Sequence, residues 1–168
     1  DVEFKPEAIM RMLVPKKDII CTPYRVKNEP EIKEYAVKFK DSKDIKILPW
    51  DIVEIEEGPA GCMLIHRRVF EGLMNKRPDL KINFNEATRK KMNEEIGTTE
   101  DAVTMYMYNF WDTTFNLETG EWKGEDLSFC ELATDNGFKI YANLDSGTTH
   151  HGSYGWKGRF GDFLVKKE

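Results

Sequence analysis

The stretch Gly124-Glu125-Asp126-Leu127-Ser128-Phe129-Cys130 opens the part of the chain that decides the fold. Two carboxylates at its start are typical of the first turn of a helix, which we predict over residues 126–136, with Gly137 as its stop. A strand is predicted next, over residues 138–142, and His150 follows in a Gly-rich and aromatic-rich tail that is predicted as loop. This order of carboxylates, strand and histidine can place an acid/base pair and a metal ligand in one pocket.

Helical and strand patterns also alternate upstream of this stretch. Pro6 favours the start of a helix that Pro15 ends, and further helices are predicted over residues 68–74 and 86–96. Residues 34–39 and 45–48 are predicted to form a hairpin around a turn at 41–44, and residues 62–65 a central strand. Other short apolar or alternating runs predict strands over residues 18–24, 51–56, 80–84 and 103–111. Alternating strands and helices indicate one α/β domain over residues 1–168, with a mixed sheet and flanking helices.

Length, charge and cysteine content exclude several classes of protein. The chain has 168 residues, enough for one domain with its own core, and its net charge of −5 argues against a nucleic-acid partner held by a basic surface. No apolar run approaches about 18 residues, so no membrane span is predicted. Cys21, Cys62 and Cys130 lie far apart in apolar runs, which predicts buried free thiols in a cytoplasmic protein.

Glu125 and Asp126 have two interpretations. Acidic residues are common at a helix N-terminus because they complement the helix dipole. The same position holds a carboxylate rigid and ionised, as required of a general base that deprotonates an acceptor hydroxyl. Both interpretations stay open on the residues alone.

His150 and Asp1 are the candidate metal ligands. His150 and His151 would point to opposite sides of a strand, so at most one of them faces a given site. Gly152 after the pair gives an accessible backbone. Asp1 precedes a Pro-started helix, and an acid between a strand end and a helix is a frequent metal ligand in α/β proteins. A surface role is the alternative for each of these residues.

The tail alternates glycines with aromatic residues. These residues either dock the aromatic rings on the core or form a mobile flap over a ligand. In a flap, Trp156 would cover a sugar or base, and Lys157 and Arg159 would neutralise phosphate. Trp111 and Asp112 end the strand predicted over residues 103–111, and Asp112 either faces the same cleft or caps a turn.

Taken together, these motifs resemble the C-terminal part of a GT-A-fold glycosyltransferase, close to family 2 and its phage and bacterial relatives. Asp1-Val2-Glu3-Phe4-Lys5-Pro6 is similar to the end of the family's Asp-x-Asp motif and the helix after it. The run from Asp18 to Lys27 resembles the strand that follows. The run from Ala60 to Phe70 is similar to the family's Gly-rich strand that leads into an Arg-started helix. Gly124-Glu125-Asp126 resembles the family's Glu-Asp motif, which carries the base that deprotonates the acceptor. His150-His151-Gly152 resembles the family's His-x-Gly segment, whose histidine can complete the metal site.

The resemblance implies metal-dependent transfer of a sugar from a nucleotide-diphosphate sugar to a sugar or glycan acceptor. It implies that Asp1 and His150 bind Mn²⁺ or Mg²⁺ and that Asp126, or else Glu125, is the base. The predicted substrate-binding residues are Gly61, Trp111, Asp112, Trp156, Lys157 and Arg159.

In the family, a nucleotide-binding half precedes the position of Asp1, and this sequence does not contain it. We therefore expect an incomplete GT-A-like domain that needs the missing half for activity, and an exposed edge strand that favours association. Two other functions stay open. One is a non-catalytic module that binds glycan or protein, and the other is a metal-dependent hydrolase that uses His150, His151, Asp145 and Asp162.

Overall fold

The computed structural model describes residues 1–40, 45–98 and 106–165, which form a mixed α/β structure with open sheets. The helices are α1 (Pro6–Leu13), α2 (Arg67–Lys76), α3 (Glu86–Ile96), α4 (Glu125–Asp135) and α5 (Phe160–Val165). The strands are β1 (Val2–Phe4), β2 (Ile19–Cys21), β3 (Ile47–Leu48), β4 (Ile52–Ile55), β5 (Met63–Ile65), β6 (Thr114–Phe115), β7 (Trp122–Lys123), β8 (Ile140–Asn143), β9 (Gly147–His151) and β10 (Gly155–Arg159). Within the described ranges, no helix has the length and apolar character needed to cross a bilayer.

A five-stranded mixed sheet forms the centre of the fold, in the order β3-β4-β8-β2-β5. Strand β8 is the middle strand, and all four of its residues are buried. It runs parallel to β2 and antiparallel to β4. The predicted α/β class with a mixed sheet and flanking helices is therefore confirmed.

Helices cover both faces of this sheet. On one face, α2 and α4 share a core with β2, β4 and β8, into which Phe129 and Leu73 are fully buried. On the other face, Met12 of α1 packs with Ile20 and Tyr141. This sandwich places the first turn of α4 near the carboxyl ends of the parallel strands β2 and β8, the edge at which α/β proteins bind ligands.

The cysteines are part of this core. Cys21, Cys62 and Cys130 are buried free thiols, as predicted. Burial raises the pKa of Cys130 to about 11, so this thiol stays protonated at neutral pH.

The helix predictions succeed because their end signals are local. Pro6 occupies the first turn of α1. Gly97 and Gly137 follow α3 and α4 with φ of 72° and 87°, a conformation that L side chains rarely adopt. The helix predicted over residues 86–96 is confirmed, and α4 starts and ends one residue before the predicted 126–136.

The tail after β8 differs from the prediction, because it forms β9, β10 and α5 rather than loop. Strands β1, β9 and β10 make a separate antiparallel sheet in which Val2 and Trp156 both lie opposite His150. Glycine in β10 reflects close packing, since a side chain at Gly158 would collide with Tyr35. Residues 155–159 therefore form a paired strand of this sheet.

Other strand predictions are wrong, because the segments pair with different partners or form no strand. Residues 34–39 do not form a hairpin with 45–48, because β3 pairs with β4 instead; the predicted turn at 41–44 lies outside the described residues. The strand predicted as central, β5, lies at an edge of the sheet. Residues 80–84 are not a strand, and their one bridge joins Lys81 to Tyr108. The strand predicted over 103–111 is absent from the described part, 106–111, and residues 103–105 lie outside it.

Candidate functional site

Asp1 and His150 lie side by side at the end of the antiparallel sheet. Strand β1 pairs with β9 so that Val2 faces His150, which brings the preceding Asp1 to the same histidine. His150 Nε2 is 3.3 Å from Asp1 Oδ1, and the imidazole is largely buried while the carboxylate is exposed. The two residues predicted as metal ligands are thus neighbours in space.

A backbone hydrogen bond fixes which ring nitrogen of His150 carries a proton. Its Nδ1 lies 2.9 Å from the carbonyl oxygen of Arg25, which accepts a hydrogen bond, so Nδ1 carries the proton and the lone pair is on Nε2. Burial lowers the pKa of His150, the hydrogen bond to the Arg25 carbonyl opposes this shift, and the Lys27 cation adds to it. An Nδ1–H that donates to a backbone carbonyl is the arrangement that metal-binding histidines use to orient Nε2.

The pair presents two atoms of the kinds that divalent cations accept as ligands, Asp1 Oδ1 and His150 Nε2. A carboxylate oxygen and an imidazole nitrogen suit Mn²⁺ or Mg²⁺, which commonly complete their shells with water and substrate phosphates. Lys27 Nζ contacts Asp1 Oδ2, so a positive charge already lies against this carboxylate. No group of three or more His, Cys, Asp or Glu side chains forms a metal cluster within the described ranges.

His151 points away from this pair. Its Nε2 lies 2.7 Å from Glu3 Oε2 on the other side of the strand, so the predicted divergence of the two histidines is confirmed. Asp145 pairs with Arg11 at 2.6 Å and with Arg159 at 2.7 Å. The four residues of the hydrolase hypothesis therefore do not converge on one centre.

Tyr24 connects the His150 pair to a second feature, the cavity at the start of α4. Its ring centroid is 4.5 Å from that of His150. A Cβ placed on Gly61 would lie 2.8 Å from Tyr24 Cε1 and 3.0 Å from Val2 Cγ2, so only glycine leaves room for the ring. Burial, and then the negative charge of Asp126, raise the pKa of Tyr24.

Asp126 lies in this cavity, which has a volume of about 420 Å³ and is also lined by Tyr24, Lys38, Glu57 and Glu125. The Ala60 N–H donates to Asp126 Oδ2 at 2.9 Å, and Oδ1 has no hydrogen-bond partner among the described residues. One carboxylate oxygen is thus anchored and the other is available for a ligand. Glu125 is the more exposed of the two carboxylates.

The remaining predicted substrate residues lie elsewhere. Trp111 stacks on Phe129 with centroids 4.1 Å apart. Asp112 Oδ1 accepts from the Thr113 N–H at 2.9 Å and Oδ2 accepts from Asn109 Nδ2 at 2.9 Å. Gly61, by contrast, is in contact with Tyr24 and belongs to the site.

Three residues of the tail also lie outside the Asp126 cavity. Trp156 is buried and donates from Nε1 to the Asn28 carbonyl at 2.8 Å. Arg159 is paired with Asp145 and Asp162. Lys157 lines a different cavity of about 640 Å³, together with Glu3.

Sequence reasoning missed Tyr24. An aromatic residue after a short apolar strand usually belongs to the core, and nothing in the sequence separates this one from other such residues. The one available signal is its position just beyond the carboxyl end of β2.

Comparison of the chain with protein-family models, with curated proteins and with solved structures finds no match.

Proposed function

We propose that this chain is part of a metal-dependent glycosyltransferase with a GT-A-like domain. It would transfer a sugar from a nucleotide-diphosphate sugar to a hydroxyl group of an acceptor. One observation carries the proposal: the Tyr24 ring contacts His150 and lines the cavity that holds Asp126. A candidate cation site and a candidate base thus adjoin one another.

Asp126 has the properties of a general base. The Ala60 N–H holds Oδ2 in place, and Oδ1 would accept the proton of the acceptor hydroxyl. The acceptor oxygen then bonds to the anomeric carbon as the bond from that carbon to the diphosphate oxygen breaks. The electron pair of the broken bond leaves with the nucleoside diphosphate, and the configuration at the anomeric carbon is inverted.

Asp1 and His150 would hold the divalent cation. When bound, Mn²⁺ or Mg²⁺ supplies Lewis-acid stabilisation of the negative charge on the leaving diphosphate. His150 contributes a neutral nitrogen ligand whose direction the Arg25 carbonyl fixes. Lys27, in contact with Asp1, adds a second positive charge at the place where the diphosphate would lie.

Metal dependence tests the proposal against a binding module. The protein, expressed from its natural reading frame, is assayed for release of nucleoside diphosphate from a panel of UDP-, GDP- and dTDP-sugars, with Mn²⁺ or with EDTA. We expect release with Mn²⁺ only, and a loss of at least about tenfold in His150→Ala. His151→Ala is the matched control, since that side chain faces Glu3 instead. Equal rates in the two variants, or release unaffected by EDTA, would contradict the cation site.

A further inference from the structure

Glu57 is a second buried carboxylate of the Asp126 cavity, and its side chain is only partly paired. The residue is 9% exposed and lines the cavity together with Asp126. Lys38 Nζ donates to Glu57 Oε1 at 3.3 Å, whereas no donor among the described residues reaches Oε2. A buried acceptor that lacks a donor costs free energy, so a ligand that donates a hydrogen bond to Oε2 is favoured.

The carboxylates of Glu57 and Asp126 have the same arrangement. The Ala60 N–H holds Asp126 Oδ2 at 2.9 Å, and the Lys38 ammonium holds Glu57 Oε1. Each carboxylate therefore has one oxygen that is fixed and one that is available. An ionised carboxylate only accepts hydrogen bonds, so this pair suits a ligand that donates to both of them.

The segment from Glu57 to Ala60 is held firmly on the core. The Gly58 N–H lies 3.5 Å from Cys130 Sγ, and that thiol donates to the Gly58 carbonyl at 3.4 Å. A Cβ placed on Gly58 would lie 2.6 Å from Cys21 Sγ, so the backbone packs directly against the core. This segment carries Glu57 at one end and the N–H that anchors the candidate base at the other. A single rigid element thus positions both carboxylates.

The charge and size of the cavity select the class of ligand. Its lining has three carboxylates, those of Glu57, Glu125 and Asp126, and Lys38 contributes one positive charge. An acceptor with a carboxylate or phosphate group would therefore be repelled. The Tyr24 ring gives the cavity an apolar wall, and its volume of about 420 Å³ is within the range of about 300–1,000 Å³ for small-ligand sites. These features fit a non-acidic sugar, whose ring has an apolar face and whose hydroxyl groups donate hydrogen bonds.

We propose that Glu57 determines the specificity for the acceptor, which is a non-acidic sugar. Glu57 Oε2 accepts a hydrogen bond from one hydroxyl group of this sugar, while a second hydroxyl group gives its proton to Asp126. The role in acceptor selection rests on the proposed transfer function, whereas the binding of a sugar at Glu57 does not. Glu57 takes no part in the chemical step, so its loss weakens sugar binding and leaves the reaction of the bound sugar nearly unchanged.

A comparison of Glu57→Met with Glu56→Met tests this role. Glu56 is the matched control, because its carboxylate lies 3.5 Å from Lys38 Nζ but its side chain is 40% exposed and outside the cavity lining. The protein, expressed from its natural reading frame, is titrated in EDTA with methyl hexosides, their monodeoxy analogues and methyl hexuronides, and binding is followed by saturation-transfer NMR. We expect a methyl hexoside to bind more tightly than its hexuronide. Glu57→Met should weaken the binding of that hexoside about tenfold or more, and Glu56→Met should leave it unchanged.

The monodeoxy analogues distinguish a direct contact from a structural effect. The analogue without the hydroxyl group that contacts Glu57 should bind wild type about tenfold more weakly than the parent hexoside. It should bind Glu57→Met as tightly as the parent hexoside does, because the partner of that hydroxyl group is gone. With a donor that supports transfer, Glu57→Met should raise the acceptor KM about tenfold and change kcat little.

Four results would overturn the role of Glu57. They are no binding of any methyl hexoside to wild type, equal binding by wild type and Glu57→Met, tighter binding of a hexuronide than of its hexoside, and a monodeoxy series that loses the same factor in both proteins. The proposed function is read separately, from the release of nucleoside diphosphate. Sugar binding that depends on Glu57, without release from any donor, would remove transfer and leave the binding role intact. Release with an unchanged acceptor KM in Glu57→Met would remove Glu57 alone.

Discussion

The ring of Tyr24 lies 4.5 Å from the ring of His150, centroid to centroid, at an interplanar angle of 56°. The same tyrosine lines the cavity of Asp126, and Asp126 is among the charges that raise its pKa. One side chain therefore links the candidate cation ligands to the candidate base. Since Gly61 is packed against this ring, the position of Tyr24 can be perturbed without changing a charged group.

Gly61→Ala should displace Tyr24 and reduce transfer. The added Cβ would lie 2.8 Å from Tyr24 Cε1, closer than van der Waals contact, so the ring has to move. Small misplacements of catalytic groups cost up to about a hundredfold in rate, and we expect a loss of about 10–100-fold in nucleoside diphosphate release. Gly124→Ala is the control, because nothing lies within 4 Å of its Cβ and its φ is −67°. If Gly61→Ala were as active as Gly124→Ala, the position of the Tyr24 ring would not matter for transfer.

The stability of the fold should depend on pH through His150. Burial lowers the pKa of this imidazole in the folded state, so the unfolded chain binds the proton more readily. The contribution to stability is complete above the ordinary histidine pKa of about 6.5 and is lost as the pH falls below it. When the pH is lowered from about 8 to about 5, the urea midpoint of unfolding should decrease less in His150→Gln than in wild type or His151→Gln. Parallel curves for all three proteins would show that His150 is not perturbed.

Phe129→Ala should destabilise the domain strongly. Phe129 is fully buried and packs on Trp111 and Phe70. Truncation of a buried phenylalanine costs about 3–5 kcal/mol of the free energy of unfolding, because the cavity left behind is only partly filled. Phe115→Ala, which removes an exposed ring of the same size, should stay within about 0.5 kcal/mol in denaturant titrations. Similar losses in both variants would contradict the assignment of Phe129 to the core and Phe115 to the surface.

Local signals account for the part of the fold that the sequence predicts correctly. Pro6, Gly97 and Gly137 set helix ends within a few residues of themselves, so α1, α3 and α4 need no information about distant partners. Strand pairing is different, since it depends on which segment packs alongside. Residues 34–39 alternate like a strand but make only isolated bridges, and β5 is apolar like a central strand but lies at an edge.

The candidate site also has one part that the sequence predicts and another that it does not. The family resemblance predicts that Asp1 and His150 lie together, and the pairing of β1 with β9 brings them to 3.3 Å. The sequence does not predict the position of Tyr24 or the β6–β7 hairpin. The hairpin has two residues in each strand, too few for an alternating pattern to be recognised.

The most direct test of the central claim is transfer by Asp126→Asn compared with Glu125→Gln, in the protein expressed from its natural reading frame. Both substitutions remove one charge from the first turn of α4, but only Asp126 is anchored by the Ala60 N–H. With Mn²⁺ present, we predict that Asp126→Asn loses transfer by about 10²–10⁴-fold and still binds the nucleoside diphosphate, whereas Glu125→Gln keeps most of its activity. Undiminished transfer in Asp126→Asn would show that this carboxylate is not the base.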